Sequence, residues 1–214
     1  MTVPAGPVEL AGDLTLPPGA EAVVVFAHGS GSSRQSPRNR AVARALANAG
    51  LATLLMDLLT ADEEASDRAT GALRFDVALL AERLVAAIDW LSEQPKTASH
   101  RVGLFGASTG AGAALVAASA RPGRVGAIVS RGGRPDLAGE ALERVEAPTL
   151  LTVGGRDEPV IGLNRGALEA LGQRARLEIV DGATHLFEEP GALEEVARLA
   201  GDWFLTHLPQ GQRS

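Results

Sequence analysis

The chain has 214 residues, of which 45% are hydrophobic and 21% are charged, and this composition suits one domain with a substantial core. The lack of cysteine excludes disulfides, a cysteine nucleophile and thiolate metal ligands. The formal net charge of −6 disfavours a nucleic-acid-binding protein, because binding to a phosphate backbone normally requires a basic face.

Apolar runs and helical patterns alternate along the chain, and turns rich in glycine or proline separate them. The segment 8–16 predicts an antiparallel edge strand, and the continuous apolar run 22–27 predicts a strand buried on both faces. Residues 62–71 predict a surface loop or a short helix, and the alanine-rich stretch after Gly110 predicts a helix. Further strands are predicted at 51–56, 101–105, 125–130, 148–153 and 176–180, and further helices at 40–49, 77–91, within 136–145, 164–171 and 193–207.

This alternation predicts an α/β fold. Strands that alternate with helices imply right-handed crossovers and a mostly parallel sheet, here of about seven strands, with helices on both faces. We expect a single domain over residues 1–214, with flexible termini at 1–7 and 209–214. Active sites in such sheets lie beyond the carboxyl ends of the strands. Only a loop and a short helix fit between Arg131 and Ala147, so no cap domain is expected.

One stretch carries the main chemical signal. The sequence Gly106-Ala107-Ser108-Thr109-Gly110 lies between an apolar run and a helical pattern, which predicts a strand, a tight turn and a helix. In a G-x-S-x-G turn the two glycine positions must nearly lack side chains. The turn would expose the Ser108 hydroxyl and place the Thr109 N–H at a helix start, where negative charge is favoured. The alternative is a helix start of small residues that only packs closely on its strand.

An acid and a histidine follow two other predicted strands. Asp157 comes just after the strand at 148–153, and His185 follows the strand at 176–180. The order Ser, Asp, His is the one expected of this sheet architecture. A serine nucleophile requires a base for its proton and an acid that fixes the tautomer of that base. Taken alone, His185 could be a hydrogen-bonded loop histidine, and Asp157 could be a helix N-cap ahead of Pro159. The placement of both residues at strand ends favours a catalytic role.

The loop after the strand at 22–27 could supply an oxyanion donor. A glycine-flanked turn can aim a backbone N–H at the oxyanion that forms when a serine attacks a carbonyl. Ser30 is the first candidate donor, and Gly31 is the second candidate and a candidate substrate contact. We expect His28 to tie this loop by hydrogen bonds, with a second acid–base histidine as the alternative.

Together these motifs make the chain similar to α/β-hydrolases, specifically to small bacterial dienelactone-hydrolase-like proteins, over nearly its whole length. The resemblance implies an α/β-hydrolase fold, with Ser108 as nucleophile, Asp157 as acid and His185 as base. It also implies oxyanion donors from Thr109 and Ser30. Well-characterised dienelactone hydrolases have a cysteine nucleophile, so the resemblance does not extend to dienelactone as substrate. The motifs are His28-Gly-Ser-Gly, Gly106-Ala-Ser-Thr-Gly, Gly155-Arg-Asp and Gly182-Ala-Thr-His.

Several arginines fall in loops on the expected active-site side. They could bind a substrate carboxylate or phosphate through paired hydrogen bonds. The alternative is that they are solvated or pair with Asp136 and Glu158. These candidate substrate-binding arginines are Arg34, Arg38, Arg131 and Arg134.

The resulting prediction is a serine hydrolase that cleaves carboxylic esters, thioesters or lactones through an acyl-enzyme. The alternatives are an acyltransferase or peptidase with the same triad, a non-catalytic interaction scaffold, and a nucleotide-binding protein. The last is disfavoured because Arg34 replaces the third glycine of a dinucleotide fingerprint. No metal or other cofactor is expected, since the four histidines lack the spacing of a zinc site.

The expected partner is a small-molecule ester, which could be anionic, rather than a nucleic acid or a membrane. No window approaches the roughly 18 apolar residues of a membrane span, and the N-terminal residues lack the pattern of a leader. We therefore expect a cytoplasmic protein.

Overall fold

A computed structural model describes residues 1–208 and contains a sheet of eight strands, one more than expected. Six neighbouring strands are parallel, and the first two strands are antiparallel to their neighbours. The mostly parallel sheet predicted from the alternation is therefore confirmed. The strands are β1 Thr2–Ala5, β2 Val8–Thr15, β3 Ala22–Ala27, β4 Ala52–Met56, β5 Arg101–Ala107, β6 Val125–Arg131, β7 Thr149–Gly154 and β8 Ala175–Val180.

Residues 1–208 also form six α-helices. Two 3-10 helices, Pro135–Arg144 and Gly172–Arg174, lie in connections between strands, and no cap domain is present between β6 and β7. Within residues 1–208, no helix combines the length and the apolar character needed to cross a bilayer. The helices are α1 Pro37–Asn48, α2 Ala61–Asp67, α3 Val77–Glu93, α4 Thr109–Ala120, α5 Glu158–Leu171 and α6 Ala192–His207.

The strand order places a crevice at the carboxyl ends of β3 and β5. Across the sheet the order is β1-β2-β4-β3-β5-β6-β7-β8. The chain leaves β3 towards β4 on one side, whereas it leaves β5 towards β6 on the other side. Ligands of open α/β sheets bind where connections diverge in this way. The loop after β3 and the turn after β5, which carry His28 and Ser108, therefore lie at the expected binding position.

Two apolar layers hold the sheet between its helices. On one face, Leu84 and Ile88 of α3 and Leu115 of α4 are fully buried against the strands. On the other face, Leu46 of α1 and Phe204 of α6 are fully buried. Strands β3 and β5 are apolar on both faces because each face is covered by helices.

The N-terminal residues form a strand, although a flexible segment was expected there. Residues 2–5 form β1, which pairs antiparallel with β2, and the Val3 side chain is fully buried. Arg83 of α3 donates to the Ala5 carbonyl oxygen at 2.6 Å and fastens this strand to the body of the protein. The prediction of a flexible segment at 1–7 was wrong, because these contacts come from residues far along the chain. The predicted flexible segment 209–214 lies outside the described residues.

Candidate active site

Ser108 lies in a strained turn between β5 and α4. Its backbone angles are φ 49° and ψ −123°, a conformation that non-glycine residues rarely adopt. The two glycines of the turn allow its backbone to pack closely against neighbouring backbone atoms. A Cβ on Gly106 would lie 2.4 Å from the Cα of Ala111, and a Cβ on Gly110 would lie 2.3 Å from the carbonyl oxygen of Ala27. Strain of this kind is concentrated at functional sites.

Asp157 and His185 meet at the same edge of the sheet. His185 Nδ1 lies 2.6 Å from Asp157 Oδ2. Asp157 stands at the N-cap of α5, but its side chain makes no capping hydrogen bond, and only 13% of that side chain is exposed. A carboxylate can only accept, so Nδ1 carries the proton and the other ring nitrogen is left as a base. The Asp157 side chain thus orients a histidine instead of capping its helix.

The loop after β3 forms a turn whose N–H groups are available beside Ser108. Ser32 N–H donates to the Gly29 carbonyl oxygen at 3.1 Å, and Gly31 takes φ 71° at the third position of that turn. A Cβ on Gly29 would lie 3.2 Å from the Cβ of Ser108, so this loop and the turn at Ser108 lie side by side. Within residues 1–208, the N–H groups of Ser30 and Thr109 have no acceptor.

His28 holds this loop to the segment that follows β4. Its Nε2 accepts the Leu58 N–H at 3.1 Å, and its Nδ1 donates to the Gly29 carbonyl oxygen at 3.0 Å. Both ring nitrogens are used, and the residue is 7% exposed. Burial lowers the pKa of His28 below its ordinary value, although the Gly29 carbonyl and the charge of Asp57 oppose the shift. His28 is therefore a neutral histidine with the structural contacts expected from the sequence.

Arg34, one of the candidate substrate-binding arginines, also holds the loop after β3 in place. Its backbone N–H donates to Asp57 Oδ1 at 2.7 Å, and its guanidinium pairs with the other oxygen of the same carboxylate. Only 13% of the Asp57 side chain is exposed, whereas 29% of the Arg34 side chain is exposed. Arg34 thus fixes the far end of the loop that His28 holds at its start.

The other arginines have different surroundings. Arg134 makes a bidentate ion pair with Asp136, which is one of the pairings that the sequence offered as an alternative to substrate binding. Arg38 pairs with Glu188 at 3.1 Å. Arg131 is 8% exposed, and its buried Nη1 has no hydrogen-bond partner among the described residues. Burial, together with the nearby charge of Arg38, lowers the pKa of Arg131 to about 10.

The segment after β6 connects Ser108 to His185. Sequence reasoning considered only the arginines of this segment and missed these contacts. The Ser108 N–H donates to the carbonyl oxygen of Arg131, and the Arg134 N–H donates to the carbonyl oxygen of Ser108. Between them, Gly132 has φ 49°, and a Cβ there would lie 3.2 Å from the His185 carbonyl oxygen. The sequence feature that could have indicated these contacts is the pair of successive glycines directly after a buried strand. This segment therefore contacts both Ser108 and His185.

Comparison with known sequences assigns the chain to a family. A sequence model described as "Dienelactone hydrolase family" matches residues 10–204. The chain belongs to the dienelactone hydrolase family. A solved dienelactone hydrolase from Anabaena variabilis ATCC 29413 is 61% identical, with a TM-score of 0.96 over 98% of this chain and 97% of that one. The family and this relative identify the chain as an α/β-hydrolase.

Two further similarities are more limited. Curated proteins from two strains of Mycobacterium tuberculosis, provisionally named phosphoribosyl transferases, are 60% identical over 206 residues, which is 96% of this chain. The match covers 46% of each of those proteins, so the chain spans about half the length of its curated relatives. Est1E from Butyrivibrio proteoclasticus shares 16% identity and has a TM-score of 0.80 over 97% of this chain and 98% of that one. This last similarity supports the fold alone.

Proposed function

We propose that this hydrolase cleaves carboxylic esters, including thioesters and lactones, with Ser108 as nucleophile, His185 as base and Asp157 as orienting acid. The hydrogen bond between His185 Nδ1 and Asp157 carries the proposal, because it gives the histidine the tautomer that a serine nucleophile requires. The strained turn at Ser108 and the family match support it. The expected partner is a small-molecule ester.

The chemistry proceeds in two stages. Ser108 Oγ attacks the ester carbonyl while its proton passes to His185 Nε2, and the tetrahedral intermediate collapses when His185 protonates the leaving alcohol. Water then loses a proton to His185 and attacks the acyl-enzyme, and Ser108 regains its proton as the acid leaves. Asp157 remains ionised and stabilises the imidazolium in each stage.

The free N–H groups of Thr109 and Ser30 suit an oxyanion hole. Thr109 begins α4, where unpaired donors and the helix dipole favour negative charge. Ser30 lies in the turn that contacts the Ser108 side chain through Gly29. Removal of one such donor costs about 10²- to 10³-fold in kcat in other hydrolases. In this proposal, the hydrogen bonds of His28 and the ion pair of Arg34 hold the loop, and with it the Ser30 donor, in position.

Labelling with a fluorophosphonate probe tests the nucleophile. The wild-type protein should bind one probe per chain and hydrolyse p-nitrophenyl acetate, whereas Ser108→Ala should do neither and keep its thermal stability. Ser119→Ala removes a partly buried serine of α4 away from the turn and should behave as wild type. Labelling or turnover that survives in Ser108→Ala would contradict the proposal.

Acyl transfer is a second candidate function, because it would use the same serine, histidine and acid. The phosphoribosyl transfer for which the curated relatives are provisionally named is a different reaction, and the match covers only 46% of those proteins. The same acyl-enzyme could pass its acyl group to an alcohol or amine acceptor, or form from an amide. Product analysis with acceptors present distinguishes these reactions, because hydrolysis releases the free acid whereas transfer releases a new ester or amide. The proposal of a hydrolase predicts the free acid as the main product, because water is present at a far higher concentration than the added acceptor.

A further inference from the structure

A chamber of about 420 Å³ opens beside the loop that follows β3. Its floor consists of Leu58, Leu59 and Leu80, which are at most 6% exposed. One wall is the loop from His28 to Pro37, and the facing wall comes from residues 64–74, which include part of α2. The segment predicted as a plain surface loop or short helix thus forms one side of a cavity.

The chamber lies next to the reacting carbonyl of the proposed reaction. Gly29, Ser30 and Gly31 all line it, and Ser30 carries one of the proposed oxyanion donors. A Cβ on Gly29 would lie 3.2 Å from the Cβ of Ser108, although Ser108 itself does not line the chamber. A substrate whose carbonyl oxygen reaches the Ser30 N–H can therefore extend one of its two arms, acyl or alcohol, into the chamber.

Among the described residues, the two arginines that line the chamber are Arg68 and Arg74. Arg74 pairs with Asp67, and the Asp67 side chain, only 1% exposed, also accepts the Leu73 N–H. Arg68 is exposed. Glu64 lines the chamber and acts electrostatically on the buried ring of His28. An anionic substrate arm would therefore meet a carboxylate there without a buried counter-ion.

We propose that this chamber binds an uncharged, mainly apolar arm of the ester substrate and thereby sets substrate preference. This inference rests on the proposed ester hydrolysis. At the ~30 Å³ that a water molecule occupies in the liquid, the volume accommodates at most about 14 heavy atoms. The buried leucine floor favours apolar groups, because each buried methylene adds about 0.8 kcal/mol of hydrophobic free energy, or roughly fourfold in affinity.

Two series of esters test the proposal on the full chain. One series varies the acyl group from acetate to dodecanoate with p-nitrophenol as leaving group, and the other varies the alcohol of acetate esters over the same lengths. In at least one series, kcat/KM should rise at least tenfold with chain length and then level off. A terminal carboxylate on the varied arm should lower kcat/KM at least tenfold, and Glu64→Gln should reduce that discrimination.

A substitution that fills the chamber provides the second test. Ser32 lines the chamber and is partly exposed, so Ser32→Trp places an indole there without disturbing the leucine floor. It should lower the ratio of octanoate to acetate kcat/KM at least tenfold in the sensitive series. Ser119→Trp, at a partly buried serine of α4 outside the chamber, should leave the ratio at its wild-type value.

The outcomes separate this inference from the proposed function. If fluorophosphonate labelling and acetate turnover depend on Ser108 but neither series responds to chain length, the chamber proposal is wrong and the hydrolase proposal stands. A preference for anionic arms, or an unchanged ratio in Ser32→Trp, would also overturn it. If Ser108 is not labelled and no ester is cleaved, the proposed function itself fails.

Discussion

Replacement of the buried Arg131 by methionine should stabilise the protein. At pH 7 the guanidinium is charged in both the folded and the unfolded chain, but folding lowers its pKa from the ordinary value of an arginine to about 10. The folded chain therefore holds this proton less tightly than the unfolded chain does. At 1.36 kcal/mol per pH unit, the difference corresponds to roughly 3 kcal/mol of lost stability. Arg131→Met should recover between about 1 and 3 kcal/mol, because methionine fills a similar volume.

Urea unfolding at pH 7, followed by the fluorescence of Trp90 and Trp203, measures this change. Arg134→Met is the matched control, because Arg134 is 41% exposed in its side chain and pairs with Asp136. Its free energy of unfolding should change by less than about 1 kcal/mol. A lower unfolding free energy for Arg131→Met than for the wild type would refute the reasoning, since it would mean that the guanidinium makes a net favourable contact.

Three further predictions concern the site and its support. Asp157→Asn should lower kcat/KM for acetate esters by the order of 10⁴-fold with little change in thermal stability, because an amide does not enforce the required tautomer; a loss below tenfold would contradict the role of Asp157. Gly110→Ala should prevent stable folding, seen as lost near-UV circular dichroism, because its Cβ would contact backbone at 2.3 Å. Gly166→Ala, with open space at its Cβ, should instead add about 0.5–1 kcal/mol. Because burial lowers the pKa of His28, stability should fall as pH drops through 6.5, and His28→Gln should flatten that decline in urea titrations at successive pH values. An unchanged decline would count against a buried neutral His28.

Much of the fold could be predicted because the sequence patterns that specify it span only a few neighbouring residues. Buried parallel strands such as β3 are continuous apolar runs, and the turn around Ser108 requires Gly106 and Gly110 for steric reasons that act within a few residues. The order of the serine, acid and histidine along the chain was also readable, since each follows its own strand.

The remaining features depend on contacts between distant residues. Helix α5 begins at Glu158 and not at Asn164, because its start is set by the position of Asp157 at the end of β7. The pairing of Arg34 with Asp57 joins residues 23 positions apart, so the sequence pattern left that arginine as a candidate ligand. Arg131 is buried at the end of β6 and feels the charge of Arg38, a residue of α1 that lies far from it in the chain.

The segment between β4 and α3 has an evolutionary consequence. Most of its hydrogen bonds are internal: Thr60 and Glu63 form a capping box, and Asp67 binds the backbone and side chain of Arg74. The proposed nucleophile, base and acid all come from other connections of the sheet. Asp57 and Leu58, at the start of this segment, hold the loop after β3, but mutations in the rest of the segment can accumulate and reshape the chamber while the geometry around Ser108 is preserved. Related chains can therefore diverge in substrate while they keep the same catalytic residues.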